Sequence, residues 1–220
     1  MSYPLTRSVP VFPGYPKFEA DPVQTFDKDG KRSHQLLMNS HMGTHVDAPS
    51  HFIEDGRTIG ELPVEELCGT ARVVDLRSHK GETITRDILE DSISHIDENI
   101  VLLLTGDVDQ RFGESDFFER AAVLNHGAAK WLAQQGVQVV ANDFLTESIE
   151  SSERPVHKEL LGKDIPIVEY LCNIDPVVEY DAVEFRCYPL LIPHIEAAPA
   201  RVICNQTVGK DQSGTNIKKP

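Results

Sequence analysis

Short apolar runs separated by polar turn formers divide this chain into strands and a few helices. Runs of four to six residues are typical of buried strands, and here they occupy 71–76, 100–105, 137–141, 165–168, 184–188 and 200–203. The first forty residues are rich in proline and other turn formers, which predicts loops joining short strands, with one strand at 35–39. Residues 60–67 predict a short helical turn, and Thr85 caps a predicted helix over 85–90.

The clearest helix is predicted from about Ala121 to Gln135, because apolar residues recur there on one face and Gly136 supplies a stop. Pro166 cannot donate to a neighbouring strand, which predicts that strand 165–168 lies at an edge or has partners on one side only. Strands alternating with few helices predict a mixed α/β domain instead of a long doubly wound sheet. A length of 220 residues suits one sizeable domain, so we expect a single domain over 1–220.

Composition narrows the class of protein. An apolar fraction of 40% and a charged fraction of 25% are ordinary for a globular domain with a real core. The formal net charge of −14 disfavours binding to nucleic acid or to anionic membrane surfaces. The start of the chain has no apolar signal region and no segment approaches the length of a membrane span, so a cytoplasmic protein is expected. The four cysteines form no CxxC pair, which excludes a zinc ribbon and predicts buried free thiols.

Candidate chemistry concentrates in residues 40–52, where His41, His45, Asp47 and His51 fall within eleven positions. If the segment is helical, His41 and His45 share a face at i and i+4. Gly43 favours instead a tight loop that opens into an extended segment, where His45 and Asp47 point the same way at i and i+2. Either geometry lets two imidazoles and one carboxylate converge on a cation.

Mixed nitrogen and oxygen ligands favour Zn²⁺ or Mn²⁺ over Ca²⁺ or Mg²⁺. Surface histidines in a polar loop, or a hydrogen-bonded core cluster, are the alternatives, but four such groups at this spacing favour a metal. Three protein ligands with an open position are also the pattern of a catalytic site. Further along, Glu169 closes a strand where a carboxylate needs a partner, either a cation or an arginine such as Arg201, and His157 alone would be an ordinary loop residue.

Residues 41–52 match the signature HxGTHxDxPxHF, so the chain resembles the cyclase family of metal-dependent hydrolases, which includes bacterial kynurenine formamidases, isatin hydrolases and polyketide cyclases. The resemblance continues along the chain. Further similar segments lie at 12–14, 104–106, 128–137, 157–169, 188–190 and 199–201.

The resemblance implies a swivelling β/β/α domain and a homo-oligomer, either a dimer or a tetramer, that acts on a small-molecule substrate. It implies that His41, His45 and Asp47 bind a metal and that His51 is the acid/base. In two-metal members the aspartate bridges to a second ion, which here would be held by His157 and Glu169. One or two divalent ions, Zn²⁺ or Mn²⁺, are therefore expected.

The expected reaction is cleavage of an amide, formamide or lactam C–N bond by activated water. A cyclase or isomerase using the same metal, or a catalytically silent metal-binding protein, are the alternatives. The chain departs from the family after Gly106, where an aromatic residue is missing, and over 142–148, where the pattern matches loosely. Both regions are expected to line the substrate pocket, which places kynurenine formamidase activity in doubt.

Overall fold

The computed structural model describes residues 1–93 and 95–206 of the chain. Its eleven strands are numbered in chain order: β1 Glu19–Gln24, β2 Ser33–Leu37, β3 His45–Asp47, β4 Cys68–Asp75, β5 Thr83–Ile84, β6 Ile100–Leu104, β7 Val123–Leu124, β8 Val139–Asn142, β9 Ile167–Glu169, β10 Ala182–Pro189 and β11 Ala197–Gln206. Its α-helices are α1 Phe26–Asp29, α2 Arg86–Ser92, α3 Asp107–Arg111, α4 Phe117–Arg120, α5 His126–Gln134 and α6 Pro155–Leu161. Short 3-10 helices occupy Pro49–His51, Ile59–Glu61, Val64–Leu67 and Arg77–His79.

Seven strands close into a barrel in the order β10, β11, β3, β9, β8, β6, β4. Strands β4, β6, β8 and β9 run parallel to one another, and the remaining pairs around the barrel are antiparallel. Parallel pairing requires crossover connections, and α2, α5 and α6 lie in them. The expected mixed α/β sheet with few helices is therefore confirmed.

Successive side chains along a barrel strand point alternately into two apolar environments. Along β6, Ile100, Leu102 and Leu104 belong to a cluster that takes buried side chains from all seven strands and therefore fills the barrel. Val101 and Leu103 belong instead to a second cluster with residues of the outer helices. This arrangement explains why 100–104 is a continuous apolar run, since both faces of the strand are buried.

The predicted helix 121–135 begins later, at His126. Its cap is Asn125, whose side-chain oxygen accepts a hydrogen bond from the backbone N–H of Ala128 at 2.8 Å. The residues before it form β7, which pairs in parallel with β5. The apolar residues of β7 therefore fit the apolar spacing of the helix in the sequence, although they form a strand.

The expected edge position of the strand after Pro166 is wrong. Strand β9 lies between β3 and β8 in the barrel. Pro166 immediately precedes the strand, and its carbonyl accepts a hydrogen bond from the backbone N–H of Val140. The missing N–H of proline thus falls outside the ladder, where it costs no strand pairing.

The other predicted strands and the helix capped by Thr85 are present with shifted ends. The thiols of Cys68, Cys172, Cys187 and Cys204 are free, and Cys172 and Cys187 are buried as expected. Within the described ranges, no helix is long and apolar enough to cross a membrane. The polar segment 209–220 lies outside the described residues.

Candidate metal centre

Two adjacent barrel strands carry the central part of the site. Strand β3 presents His45 and Asp47 on the face opposite Val46, whose side chain lies inside the barrel. Antiparallel pairing with β9 sets His45 directly opposite Glu169. The extended alternative for residues 45–47 is therefore correct, and strand periodicity places both side chains on one face.

The turn before β3 brings His41 back to the same place. Gly43 has φ +59°, a left-handed conformation, and a Cβ there would lie 2.7 Å from a side-chain carbon of Leu5. Thr44 fixes the exit of the turn, because its hydroxyl donates to the carbonyl of Tyr170 at 2.7 Å and accepts from the N–H of Tyr3 at 2.8 Å. A residue with a side chain at position 43 would be strained and crowded.

The side chains converge on one oxygen of Asp47. Its Oδ1 lies 2.8 Å from Nδ1 of His41 and 3.2 Å from Nε2 of His45. The same Nε2 lies 3.4 Å from Oε2 of Glu169. Asp47 belongs to two groups whose ligand atoms lie within 4.8 Å of one another, one with His45 and Glu169 and one with His41 and His51.

Two of these atoms have no hydrogen bond. Among the described residues, Nε2 of His45 and Oδ1 of Asp47 are buried without a hydrogen-bond partner. The 3.2 Å approach between them, and the 2.8 Å approach of Oδ1 to Nδ1 of His41, are therefore close contacts that lack hydrogen-bond geometry. Burying such groups unpaired is costly. A cation between an imidazole lone pair and carboxylate oxygens satisfies them, so these residues fit a divalent metal.

Each of three histidines is held through its other ring nitrogen. Nδ1 of His45 lies 2.8 Å from the carbonyl oxygen of Gly43, and Nδ1 of His157 lies 2.8 Å from Oε2 of Glu147. Nε2 of His41 lies 3.2 Å from Oε1 of Glu196. Metal-ligating histidines have this kind of outer partner, which fixes the tautomer and the ring orientation.

His157 comes from the first turn of α6. Its free Nε2 lies 3.9 Å from Oδ2 of Asp47 and 4.0 Å from Oε1 of Glu169. The structure therefore brings it to the same carboxylates as the histidines of residues 41–45. Glu169 is anchored by the N–H of Thr146 at 3.1 Å, and not by Arg201, which is exposed.

His51 lies in the 3-10 helix after β3, with its ring centroid 4.2 Å from that of His41 and 4.2 Å from that of Phe52. Burial, together with the neighbouring histidines and against the attraction of Asp47, lowers the pKa of His51 to about 4. All six residues that the sequence singled out are thus gathered at one place. The way these residues are grouped around possible ions differs from the expected assignment of ligands and acid/base, because His51 approaches Asp47 as a ligand would. The role of each individual residue therefore stays a prediction.

The carboxylates and imidazoles of the site polarise one another. Burial alone would raise the pKa of Asp47, but His41 and His45 hold it well below its usual value. Burial alone would lower the pKa of His45, but Asp47 and Glu169 raise it. The pKa of His157 is raised against burial as well, chiefly by Glu147. The buried carboxylates of the site therefore favour positive charge on the groups beside them.

The site opens into a cavity of about 220 Å³ with largely aromatic walls. Besides the polar side chains described above, its lining includes Phe12, Tyr15, Phe52, Leu145, Arg154 and Tyr170. Phe52 lies 5.0 Å from the ring of His157, and Tyr170 lies 5.5 Å from the ring of His45. Flat rings thus surround the metal-binding groups on several sides.

The two regions expected to line the pocket behave differently. Residues 142–148 do so through Leu145 and Glu147. Residues 107–112 do not line this cavity and instead contribute to a separate, more open groove. The buried carboxylates of Asp107 and Asp143 bind backbone groups. Asp143, for example, accepts hydrogen bonds from the N–H groups of Thr105 and Gly106, each at 2.6 Å.

Sequence reasoning missed Glu147, Glu196 and Arg154. Glu147 lay in a segment expected to form a pocket wall, and an acidic residue ten positions before His157 is a weak signal for a partner. Glu196 had no signal, because it is 155 residues from His41 in sequence and reaches it only through the pairing of β11 with β3.

Comparison with known proteins adds an independent observation. The family model described as "Putative cyclase" matches residues 1–147. The chain belongs to the cyclase family. It is 27% identical over 205 residues to a kynurenine formamidase of Bacillus cereus, covering 92% of this chain and 94% of that protein. It is 31% identical over 178 residues to cyclase-like protein 1 of Arabidopsis thaliana, covering 77% of this chain and 68% of that protein.

Solved structures agree with this membership in the cyclase family. A potential metal-dependent hydrolase with cyclase activity has a TM-score of 0.74 and 27% identity, covering 92% of this chain and 94% of that chain. Isatin hydrolase A of Labrenzia aggregata has a TM-score of 0.83 at 22% identity, covering 94% of this chain and 92% of that chain, and at this identity shows the shared fold. The site of this cyclase-family chain is therefore one that can hold a divalent metal.

Proposed function

We propose that this protein is a metal-dependent hydrolase that cleaves the C–N bond of an amide, formamide or lactam in a small aromatic molecule. The observation that carries this proposal is the buried pair formed by Nε2 of His45 and Oδ1 of Asp47, which have no hydrogen-bond partner within the described part of the chain. These atoms face a cavity with aromatic walls, as a metal that acts on a flat substrate requires.

The proposed ligands are His41, His45 and Asp47 for one ion, with His157 and Glu169 available to share Asp47 with a second. Mixed nitrogen and oxygen donors without cysteine favour Zn²⁺ or Mn²⁺. A divalent ion in such a site polarises a carbonyl and lowers the pKa of water towards about 7. The kynurenine formamidase and isatin hydrolase relatives support hydrolysis as the use of this chemistry.

Side chains of the protein supply an acid/base group and an aromatic wall that excludes water. His51 lines the cavity beside His41, where its imidazole can take a proton from the attacking water and return it to the leaving nitrogen as the C–N bond breaks. Acid–base help of this kind contributes about 10²- to 10⁴-fold in rate. Phe12, Tyr15, Phe52 and Tyr170 exclude water and stack on the substrate ring.

The test is hydrolysis of a panel of N-formyl aromatic amines, lactams and cyclic amides by protein reconstituted with Zn²⁺ or with Mn²⁺. We expect turnover that is lost after chelation and restored by the metal. Reaction in ¹⁸O-labelled water must place label in the product acid. A product without label would favour a cyclase or isomerase, and metal binding without turnover of any panel member would favour a silent metal-binding protein.

We further propose that the chain folds as a single domain and assembles as a homodimer or homotetramer. Large apolar side chains are exposed in the isolated chain, among them Leu191 at 78%, Phe26 at 62% and Leu36 at 55%. Some of these side chains are consecutive in the chain, at Leu36 and Leu37 and at Leu190, Leu191 and Ile192, and contiguous exposed apolar surface is typical of interfaces. Light scattering on the purified protein measures the mass, and a monomer at micromolar concentration would contradict the assembly.

A further inference from the structure

Arg154, which lines the cavity, has an unusual backbone conformation. Its φ of 51° and ψ of 49° are left-handed, a conformation that is strained for a residue with a side chain. Arg154 immediately precedes Pro155, and a residue in front of a proline usually has an extended backbone. Strained backbone of this kind concentrates at binding and catalytic sites, because the surrounding structure must hold it there.

The guanidinium of Arg154 has few partners in the protein. Nη1 donates to the carbonyl oxygen of Ser148 at 3.0 Å, and Cζ lies 5.7 Å from the ring centroid of Phe12. No acidic side chain among the described residues pairs with it, although the chain has 35 acidic and 21 basic residues. Arg154 is half-buried. The other arginines without an ion pair in the described ranges are all exposed, namely Arg32, Arg186 and Arg201.

The carboxylates of the cavity contact histidines and not Arg154. Asp47 contacts His41 and His45, and Glu147 binds His157. The positive charge of Arg154 nevertheless acts across the cavity on Tyr15 and Tyr170, where it opposes the rise in phenol pKa that burial causes. A wall of the cavity thus carries a cation whose Nε and Nη2 groups bind no protein acceptor within the described chain.

We propose that Arg154 is a specificity-determining residue that binds a carboxylate of the substrate, so that this protein selects aromatic amides bearing an anionic group. A guanidinium forms two parallel hydrogen bonds with a planar carboxylate. The guanidinium lies over the ring of Phe12, and the left-handed backbone of Arg154 sets the direction in which its side chain leaves the chain. The assignment of the substrate as an amide depends on the proposed function, whereas the carboxylate site does not.

Binding of two matched ligands tests the carboxylate site directly. Calorimetric titration with 2-acetamidobenzoate and with neutral acetanilide compares the wild type, Arg154→Gln and Arg154→Asn, each with Zn²⁺ and after chelation. The chelated samples are needed because a carboxylate can also bind the metal. Arg186→Gln serves as the charge-matched control, because Arg186 is exposed, does not line the cavity and has no ion pair with any described residue.

We expect both Arg154 variants to weaken 2-acetamidobenzoate at least 10-fold, with or without metal, and to change acetanilide less than twofold. Arg186→Gln should bind both ligands as the wild type does. Equal weakening of the two ligands, or a wild type without preference for the carboxylate in either metal state, would overturn the inference. Thermal melting checks folding, and Arg154→Asn tolerates the left-handed backbone if Arg154→Gln does not fold.

Kinetics separate this inference from the proposed function. With 2-formamidobenzoate as substrate, Arg154→Gln should raise KM at least 10-fold and change kcat less than threefold, and with formanilide both constants should stay within threefold. If the wild type hydrolyses neither compound but prefers the carboxylate ligand in binding, the hydrolase proposal fails and the carboxylate site stands. If turnover is normal and the variant loses equally on both substrates, the carboxylate site fails alone.

Discussion

Glu147→Gln isolates the contribution of an outer partner to the metal centre. The Glu147 carboxylate accepts hydrogen bonds from Nδ1 of His157 at 2.8 Å, from the N–H of Val156 at 3.1 Å and from the hydroxyl of Ser151 at 3.0 Å. Burial alone would raise the pKa of Glu147, but His157 above all, together with the N–H of Val156, lowers it, so the group is ionised. Gln preserves the shape and removes the charge.

The magnitude follows from these contacts. Hydrogen bonds to a buried charge are worth about 1.5–3 kcal/mol each, and Gln retains part of this because its amide oxygen still accepts. Outer partners of metal ligands typically contribute about 10- to 100-fold in metal affinity. We therefore expect metal binding to weaken about 10- to 100-fold, and the metal-free protein to lose about 1–3 kcal/mol of unfolding free energy.

Competition with a chromophoric chelator at pH 7.5 measures the metal affinity, and thermal melting of the metal-free protein measures stability. A loss of 1–3 kcal/mol corresponds to a fall in Tm of roughly 2–12 °C for a chain of this size. Glu150→Gln, an exposed acid three residues away, is the matched control and should change neither quantity. If Glu147→Gln bound metal within twofold of the wild type, His157 would not be a ligand held by Glu147.

Three further predictions concern the site and its support. His51→Ala should keep its metal content and lose about 10²- to 10⁴-fold in kcat on a confirmed substrate, and near-normal turnover would refute the acid/base role. Asp47→Ala should lose most of its metal after dialysis, as measured by elemental analysis, whereas full occupancy would show that Asp47 is not a ligand. Burial raises the pKa of Asp143 to about 7, against the N–H groups of Thr105 and Gly106, which lower it. Because the folded pKa is above the unfolded value of about 3.9, its contribution to stability is present below that value and is lost as pH rises to about 7, by at most ~4 kcal/mol. Denaturant unfolding at pH 5 and pH 7.5 should therefore show the deficit of Asp143→Asn shrinking with pH, and a constant deficit would contradict this titration.

Much of the local structure was set by neighbouring residues and could be predicted from them. The i, i+2 spacing of His45 and Asp47 places both on one face of any strand, and Gly43 permits the turn that returns His41 to them. The continuous apolar run at 100–105 predicted a strand buried on both faces, as β6 is. These features depend on backbone geometry within a few residues, so the sequence determines them without knowledge of the rest of the molecule.

The tertiary structure alone decided the partners of these groups. Closure of the barrel sets Glu169 opposite His45, and the register between β3 and β11 brings Glu196 to His41. The connection between β8 and α6 carries Glu147 and Arg154 to the cavity. Such contacts join residues far apart in sequence, so they arise from strand order and helix packing, which no local pattern of apolar and polar residues encodes. The same reason explains why β9 is interior despite Pro166: an edge is a property of the closed sheet, not of one strand.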